Sequence, residues 1–401
     1  MDNLSSVLIL AGSYFIGSIS PSYILGKVLK GVDIREHGTG NAGTVNAFHI
    51  IGPWPAVFTA LFDFSKGLFP MLFASSLGAS PVLIFIVGMM AVIGHVFPVY
   101  LHFRGGQGVA TATALLAYYL SMLYLNGWMP WESLLFLSFC TLSFSIITQR
   151  GELVGMVILP VLSVMIFTLS SAGEYNLYIS TVILYILFVN ILNIFQENLF
   201  PLLRKNAKQE INWRLYLRPL AILLVIYYLS TTKSAALTLI GIVTLLFFFL
   251  DICRLIYRKI NAFFFNKVKT FYKSKEYKKF SSITLFLFAC FLNVLVFEKE
   301  IAVLAMIFLI LGDFFSKFFG VFFGRHKIFE KSYEGSLAHF NACLIGGYLF
   351  LHFISFPFHI FLLGALVATL IEMLPLGLDD NFSVPLVSAT SMYLLLTIIK
   401  I

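Results

Sequence analysis

The chain has 401 residues, of which 59% are hydrophobic and 11% are charged, and its mean hydropathy is +0.93. Soluble domains carry charge on about a quarter of their residues, so this composition excludes a soluble enzyme and a soluble nucleic-acid-binding domain. The net charge of +8 suits basic loops that face anionic lipid headgroups, and nucleic acid is not needed as a partner to explain it.

Apolar runs of about 18 or more residues recur along the whole chain, and such runs predict membrane-spanning helices. We predict an all-α, polytopic integral membrane protein with about fourteen transmembrane helices in two bundles of about seven each. The predicted spans are 3–28, 53–76, 81–103, 109–125, 132–148, 152–170, 176–195, 219–230, 235–253, 281–297, 301–323, 337–353, 357–374 and 384–400.

The basic loops fall on one side of the membrane when these spans alternate from an outside N-terminus. The positive-inside rule then makes that side cytoplasmic, and every polar motif described below lands on it. We expect a multi-pass protein of the cytoplasmic (inner) membrane whose active-site loops face the cytoplasm. The long polar stretch 196–218 predicts a boundary between modules 1–205 and 206–401, and the basic stretch 267–279 predicts an interfacial helix.

Two glycine-rich loops interrupt the apolar spans of the first module, at residues 33–49 and 104–111. Glycines let backbone amides turn toward an anion, and short Thr and Asn side chains add further donors. The second loop also leads into a helix, whose N-terminus favours negative charge. Two such loops on one face predict a site for phosphate groups. The alternative is that the glycines only make tight reversals between helices.

These loops also carry a resemblance. Residues 17–27, 33–52, 61–70 and 94–111 are similar, in order and spacing, to the acyl-phosphate-dependent glycerol-3-phosphate acyltransferases of the PlsY type. The resemblance covers residues 1–205 and implies acyl transfer from acyl phosphate to the 1-hydroxyl of glycerol 3-phosphate, giving lysophosphatidic acid. In that family the departing phosphate helps to deprotonate the hydroxyl, so neither a catalytic triad nor a cofactor is expected for this module.

The resemblance also assigns roles to residues of the first module. The catalytic candidates are Thr39, Asn41, Asn46, His49 and Asn198. The substrate-binding candidates are Arg35, Gly40, Gly43, Gly105, Gly106, Gln107, Gly108 and Thr111.

Several positions depart from the family pattern. Thr39 replaces a serine, His49 an arginine and Gln107 a lysine, and the third motif keeps only Asn198 of its polar residues. Each lost charged hydrogen bond weakens anion binding by about 1.5–3 kcal/mol. We therefore expect a slow acyltransferase, one with an altered substrate, or a module that is no longer an acyltransferase.

Ionisable side chains also occur inside the predicted spans, where such groups are candidates for function. Asp63 and Lys66 are spaced to neutralise each other on one helix face. His95 precedes the glycine loop. For all three residues a structural role and a role in the site remain open.

A second set of motifs lies in the other half of the chain, at Gly312-Asp313, residues 331–336 and residues 379–381. Asp313, Asp379 and Asp380 are oxygen ligands of the kind that Mg²⁺ prefers. Lys331 and its glycine-containing loop precede a helix N-terminus suited to nucleotide phosphates. The alternative is a solvated turn at each place.

This half, roughly residues 212–401, resembles the polyprenol kinase and CTP-dependent diacylglycerol kinase family, which is similar to the phosphatidate cytidylyltransferases. The resemblance implies phosphoryl transfer from CTP, as co-substrate, to a lipid alcohol with Mg²⁺ as cofactor. It makes Asp313 catalytic, with Asp379 and Asp380 as further metal ligands. The nucleotide-binding candidates are Lys331, Ser332, Glu334, Gly335, Ser336 and Asn381.

The sequence therefore predicts a bifunctional enzyme of phospholipid synthesis that acts on acyl phosphate, glycerol 3-phosphate and a lipid alcohol among membrane lipids. One alternative is that only the second module is active and the first is a lipid-binding scaffold. Another is a transporter of phosphorylated small molecules, which predicts polar motifs at bilayer depth on broken helices. The placement of the motifs on one face favours an enzyme.

Overall fold

The structure, a computed structural model, describes residues 2–197, 199, 214–257, 259, 261–263 and 277–399. Within these ranges the chain is helical almost throughout, and its strands are the short antiparallel pair Lys327–Ile328 and Lys331–Ser332. The chain forms two compact units, one of Met1–Leu137 with Gly155–Glu197 and one of Ser138–Val154 with Asn198–Ile401. The predicted boundary at residues 205 and 206 lies outside the described residues.

Nine α-helices lie within residues 2–197. They are α1 Asn3–Ser18, α2 Pro21–Leu25, α3 Thr44–Ile51, α4 Pro53–Ser76, α5 Pro81–Val96, α6 Val109–Leu125, α7 Trp131–Thr148, α8 Gly151–Leu169 and α9 Gly173–Gln196. A π-helical turn, Gly26–Lys30, follows α2, and 3-10 turns occur at Ile34–Glu36 and Val99–Leu101.

In the described part of the second half, bounds can be given for eight α-helices. They are α10 Arg214–Leu217, α11 Ile222–Ser230, α12 Lys233–Ile256, α13 Ser282–Val296, α14 Lys299–Phe323, α15 Tyr333–Leu351, α16 Phe358–Met373 and α17 Asp380–Ile399. A 3-10 turn, Arg218–Ala221, joins α10 to α11, and the two strands form a hairpin between α14 and α15.

The predicted architecture is confirmed. Nine helical segments of the described chain are long and apolar enough to cross a membrane, and four shorter apolar helices accompany them. Together with α15, these segments account for each of the predicted spans. The predicted interfacial helix falls mainly on residues 264–276, which are outside the described part.

Glycines allow helices of the first unit to pack with their backbones in direct contact. A Cβ atom on Gly17 of α1 would lie 2.2 Å from the carbonyl oxygen of Ala91 in α5, and one on Gly67 of α4 would lie 2.6 Å from that of Thr111 in α6. Any larger side chain would force these helices apart. The close packing places the end of α5 and the beginning of α6 beside α4, where the polar groups of this unit meet.

Helix α14 is the centre of the second unit, since its residues from Ile301 to Ile310 are all buried. Glycines again permit close contact with α15. A Cβ on Gly335 would lie 2.9 Å from the carbonyl oxygen of Ser316, and one on Gly346 would lie 2.5 Å from the side chain of Leu311. This packing brings the Gly312-Asp313 and 331–336 motifs onto neighbouring helices.

The second unit includes the end of α7 and the beginning of α8. The buried ring of Phe144 lies 5.2 Å from that of Phe319 and 6.2 Å from that of Phe315. Arg325 donates hydrogen bonds to the carbonyl oxygens of Ile146 and Ile147, at 2.7 and 3.3 Å. Carbonyl groups in the last turn of a helix have no intrahelical partner, so Arg325 acts as a cap for α7.

Candidate functional site

Asn46 organises the first glycine-rich loop. Its side chain is buried, and its amide nitrogen donates to the carbonyl oxygens of Ile34, His37 and Asn41 at 2.7, 3.0 and 2.9 Å. Its amide oxygen accepts a hydrogen bond from the backbone N–H of Thr39 at 2.9 Å. The polar atoms of this predicted catalytic residue are all used within the loop, so Asn46 determines the shape of the loop.

The glycines of this loop are required by its conformation. Gly38 and Gly40 have φ values of +62° and +72°, in the left-handed region that favours glycine. A Cβ on Gly38 would also lie 2.2 Å from the amide oxygen of Asn46. The chain can turn around the Asn46 side chain only because this position carries no side chain.

Arg35 connects the first loop to the second. Its guanidinium forms a bidentate pair with Asp33 at 3.0 and 2.7 Å, and it donates to the carbonyl oxygens of Leu101 and Arg104 at 3.0 and 3.2 Å. The hydrogen bonds from Arg35 lower the pKa of Asp33 from 3.8 to about 2. Arg35 was predicted to bind substrate, and the structure shows it holding two loops in a fixed relation.

The second loop folds back onto the end of α5. The backbone N–H groups of Gly105 and Gly106 donate to the carbonyl oxygens of Val96 and His95, at 3.0 and 3.1 Å. A Cβ on Gly106 would lie 2.1 Å from His95 Nε2 and 2.9 Å from the carbonyl oxygen of Ala42. Gly106 therefore occupies the place where the two loops and the His95 ring meet.

Gln107 pairs with Asn193 of α9. The Gln107 amide nitrogen donates to the Asn193 side-chain oxygen, and the Asn193 amide nitrogen donates back at 3.0 Å. The hydroxyl of Tyr185, two helical turns before Asn193, donates to the Gln107 carbonyl oxygen at 2.7 Å. A neutral amide pair thus lies where the family pattern has a lysine, and α9 fixes it in place.

Three ionisable groups meet behind the second loop. Lys66 Nζ lies 2.8 Å from Asp63 Oδ1, and His95 Nδ1 lies 3.5 Å from the same oxygen. The hydroxyl of Thr111 donates to the Asp63 carbonyl oxygen at 2.9 Å and lies 3.5 Å from His95 Nδ1. All four side chains are buried. The expected Asp63–Lys66 pair is present, and it includes a histidine that borders the glycine loop.

The structure does not bring every predicted residue of the first unit into one cluster. Thr39 and His49 are exposed, and Asn41 is half-buried. Gly43 precedes α3, and Gly108 precedes α6 in the left-handed conformation. Asn198 lies outside the described residues. The residues that meet are those of the two loops and the ends of α5 and α6.

A cavity of about 250 Å³ lies in the second unit. Its polar lining comes from Arg218, Ser282, Asp313 and Asn381, and the rest of its wall is apolar. The carboxylate of Asp313 pairs with Arg218 and with Lys317, four residues further along α14. The cavity therefore combines a charged end with apolar walls. The apolar residues are Leu217, Ala221, Ile283, Phe286, Leu309 and Ile310.

Lys331 is at the centre of a separate polar group. Its ammonium lies 2.8 Å from Glu372 Oε1 and 2.9 Å from Asp380 Oδ2. The hydroxyl of Ser316 donates to the same Glu372 oxygen at 2.8 Å. The Lys331 charge is thus balanced by two carboxylates of the protein, and a nucleotide phosphate would compete with them.

The other residues of the 331–336 motif shape the backbone around it. Ser332 caps α15 by accepting from the Gly335 N–H at 3.1 Å. The buried carboxylate of Glu334 accepts from the N–H groups of Arg325 and His326, at 2.9 and 3.3 Å, and so holds the hairpin. Ser336 is buried in the first turn of α15. Of the predicted nucleotide-binding residues, only Asn381 lines the cavity.

The residues present do not form a magnesium site as arranged. No group of three or more His, Cys, Asp or Glu side chains is close enough to hold a metal ion in the described ranges. Asp313 and Asp380 pair with basic side chains, and Asp379 accepts from the N–H of Asn381 at 3.0 Å and from its side chain at 2.6 Å. The structure therefore does not bring the three predicted metal ligands together.

Several residues in these sites lack a role in the sequence-based prediction. Asn193 and Tyr185 of α9 form hydrogen bonds with Gln107. In the sequence, the feature that could have identified them is a pair of polar side chains on one face of an otherwise apolar helix. Glu372 is buried at the end of α16 and anchors Lys331. An acidic residue within an apolar run marks such a position, because an unpaired charge there would be costly.

Comparisons with known proteins find relatives for the part of the chain that contains the first unit. The family model described as glycerol-3-phosphate acyltransferase matches residues 7–205. The chain is 41% identical over 119 residues to glycerol-3-phosphate acyltransferase 2 of Dehalococcoides mccartyi (strain ATCC BAA-2266 / KCTC 15142 / 195), a match covering 29% of this chain and 57% of that protein. The chain thus spans little more than half of that relative's length.

Two further matches extend over most of the related protein. Glycerol-3-phosphate acyltransferase of Streptococcus thermophilus (strain ATCC BAA-491 / LMD-9) is 32% identical over 210 residues, covering 51% of this chain and 97% of that protein. The crystal structure of PlsY (YgiH), an integral membrane glycerol 3-phosphate acyltransferase, in its glycerol 3-phosphate form, is 26% identical with a TM-score of 0.40, covering 48% of this chain and 91% of that one. Through residues 7–205, the chain belongs to the glycerol-3-phosphate acyltransferase family.

Proposed function

We propose that the first unit transfers an acyl group from acyl phosphate to the 1-hydroxyl of glycerol 3-phosphate, giving lysophosphatidic acid. The observation that carries this proposal is the junction of the two glycine-rich loops, which Arg35 ties together through Asp33, Leu101 and Arg104. The junction lies within the residues that match the family. Two loops held at a fixed distance suit a reaction between two anionic substrates.

Acyl phosphate is already activated, so the protein's task is to position the reactants and to stabilise developing charge. The hydroxyl oxygen forms a bond to the acyl carbon, the bond from that carbon to the phosphate oxygen breaks, and inorganic phosphate leaves carrying the hydroxyl proton. The first turn of α6 has backbone N–H groups without intrahelical partners and carries the positive end of the helix dipole. These groups, directly after Gly108, support binding of a phosphate at that turn.

The test is the product formed by the purified full-length protein with acyl phosphate and labelled glycerol 3-phosphate. We expect labelled lysophosphatidic acid and release of one phosphate per product. The Asn46→Asp variant is the control, because a carboxylate cannot donate to the three carbonyl oxygens that Asn46 holds. Failure of the parent to form product would contradict the proposal and leave the lipid-binding scaffold as the better interpretation.

We propose that the loops of the first unit face the cytoplasm of a multi-pass protein in the cytoplasmic membrane. The support is the distribution of basic loops under the positive-inside rule. Single cysteines at the exposed positions Thr39 and Asn126 test it, in a background where the half-buried Cys253 is serine. We expect Thr39→Cys to react only with permeant reagents and Asn126→Cys to react from outside. Labelling of both from the same side would contradict the topology.

We propose that the second unit phosphorylates a lipid alcohol with CTP. The support is the cavity, because its Asp313 end can receive a hydroxyl group while its apolar walls can pack against an alkyl chain. Magnesium stays a prediction, and no ligand set is assigned to it. The test supplies the purified protein with CTP or ATP and with diacylglycerol or a polyprenol. A product with ATP and none with CTP would contradict this assignment.

A further inference from the structure

The polar end of the cavity in the second unit is an ion pair with two cations for one carboxylate. Asp313 is buried and pairs with both Arg218 and Lys317. Lys317 lies one turn further along the same helix, α14, whereas Arg218 belongs to the 3-10 turn that precedes α11. If Arg218 turned to another anion, Asp313 would keep a cation on its own helix. Arg218 can therefore exchange its partner without leaving a buried carboxylate uncompensated.

The other polar groups of the cavity are donors at helix N-termini. Ser282 and Asn381 are buried, line the cavity and lie in the first turns of α13 and α17. The Ser282 hydroxyl donates to Asp379 Oδ2 at 3.5 Å, and the Asn381 amide nitrogen donates to Asp379 Oδ1 at 2.6 Å. Asp379 thus has its own donors. Within the cavity lining, Arg218 is the cation that can meet a negatively charged ligand.

The rest of the wall is apolar and suits one hydrocarbon chain. It is formed by Ala221, by Ile283 and Phe286 of α13, and by Leu309 and Ile310 of α14, among others. A cavity of roughly 150 Å³ holds benzene, so the 250 Å³ present here holds about ten carbon atoms. That volume fits the beginning of a single chain rather than two chains joined at a glycerol. The shape and the charge together fit an amphiphile with one anionic head and one tail.

We propose that this cavity binds a single-chain lipid phosphate, with Arg218 as the residue that binds the phosphate group. The planar guanidinium matches two phosphate oxygens, and the remaining oxygens can accept from Ser282 and Asn381. The inference rests on the proposed function of the second unit, because phosphorylation of a single-chain lipid alcohol in this cavity would leave such a phosphate there. Lysophosphatidic acid, the product proposed for the first unit, carries the same chemistry.

The experiment measures binding without CTP and without Mg²⁺. Purified full-length protein in nanodiscs of zwitterionic lipid is titrated with radiolabelled decyl phosphate, and empty nanodiscs supply the blank. Decyl phosphate also resembles an acyl phosphate, so the titration is repeated with Asn46→Asp, which disturbs the loops of the first unit. We expect saturable binding that persists in Asn46→Asp. Binding that is absent from the parent, or that disappears in Asn46→Asp, would overturn the proposal.

Variants of the cavity identify the residues that bind. We expect Arg218→Gln to raise the Kd for decyl phosphate at least tenfold, the effect of one lost charged hydrogen bond. Lys278→Gln is the matched control, because it removes the same charge from an exposed position of the second unit and should keep the parental Kd. Since Arg218→Gln also changes the surroundings of Asp313, Ala221→Phe serves as a second variant that fills the apolar wall and keeps the ion pair. A parental Kd in both cavity variants would overturn the site.

Competition with other lipids tests the chemical class of the ligand. We expect decanol to compete at least tenfold more weakly than decyl phosphate, and equal competition would overturn the role of Arg218. A two-chain phosphatidate that competes as well as decyl phosphate would overturn the single-chain assignment. Competition by lysophosphatidic acid would support the site and extend its ligands to the product of the first unit. Failure of lysophosphatidic acid, with decyl phosphate bound, would support a site confined to phosphates of lipid alcohols.

Two outcomes separate this inference from the function on which it rests. Binding of decyl phosphate by a protein that phosphorylates no lipid alcohol would support the site and contradict the proposed phosphorylation alone. Phosphorylation of a lipid alcohol with CTP, without binding of decyl phosphate, would overturn this inference alone.

Discussion

Asn46 and Arg35 of the first unit bind backbone carbonyl groups, whereas Asp313 and Lys331 of the second unit bind side chains of opposite charge. Asn46 and Arg35 donate to five carbonyl oxygens, four in the two loops and one, that of Leu101, in the turn before the second loop. In the second unit, Asp313 pairs with Arg218 and Lys317, and Lys331 pairs with two carboxylates. Substitutions in the first unit should therefore act through loop shape, and those in the second through charge balance. Four predictions test this difference.

The largest effect is expected from Asn46→Ala. A buried polar group left without a partner costs about 1–3 kcal/mol. This variant removes one buried hydrogen bond, to the Ile34 carbonyl oxygen, and three that are only part-buried, to His37, Asn41 and Thr39. We expect the free energy of unfolding to fall by about 3 kcal/mol and acyl transfer to fall at least 100-fold. Asn126→Ala, at an exposed position, is the control. If Asn46→Ala keeps near-parental melting and activity, Asn46 does not determine the shape of the first loop.

Asp313→Asn should act through charge. It keeps the size of the side chain but leaves Arg218 and Lys317 without their carboxylate. We expect CTP-dependent phosphorylation to fall roughly 100-fold, about 2.7 kcal/mol, with the protein still folded. Lys317→Gln is the control, because it removes a cation whose side chain is 40% exposed while Arg218 still pairs with Asp313. Similar rates for Asp313→Asn and the parent would show that the charge pairs are only structural.

The Asp33–Arg35 pair should make stability depend on acid pH. Because the folded state lowers the pKa of Asp33 from 3.8 to about 2, the stabilisation is present above pH 3.8 and is lost as pH falls toward 2. The full effect is on the order of 2 kcal/mol at most. Melting of the parent should therefore fall more steeply across this window than melting of Asp33→Asn, in which the titrating group is absent. Parallel melting curves would show that the pair contributes little.

The smallest effect is expected from Gln107→Lys, which restores the cation of the family pattern. We expect a KM for an anionic substrate about tenfold lower, since one charged hydrogen bond contributes about 1.5 kcal/mol or more. Asn193→Ala is the control, because it breaks the amide pair without adding charge. Should Asn193→Ala lower KM as much as Gln107→Lys, release of Gln107 would be the cause and the added charge would not.

The helices were predictable because a span must be apolar and long enough to cross the bilayer, and both properties are local. The candidate sites were predictable only in part. The glycine-rich loops could be located from residue spacing, yet the role of Asn46 depends on which carbonyl groups surround it. A motif shows that a polar residue is needed and does not show whether it faces a ligand or the loop itself.

Long-range partners explain the remaining differences. Gln107 meets Asn193, 86 residues away, and Lys331 meets Glu372, 41 residues away. Asp313 and Asp380 share a chemical type, but Arg218 and Lys331, which are remote from them in the sequence, determine their environment. Such pairings arise from helix packing, and the sequence near each motif does not specify them.

The contacts of Phe144 restrict how this chain can be divided. A fragment that ends at residue 205 would keep Phe144 but lose Phe315 and Phe319, whose rings bury it, and Arg325, which caps its helix. The complementary fragment would expose the matching aromatic surface to lipid. Gene fission at the apparent boundary, or exchange of one half for that of a related protein, would therefore require compensating substitutions in residues 138–154. Residues 138–154 thus pack with the second unit, although they precede residue 205.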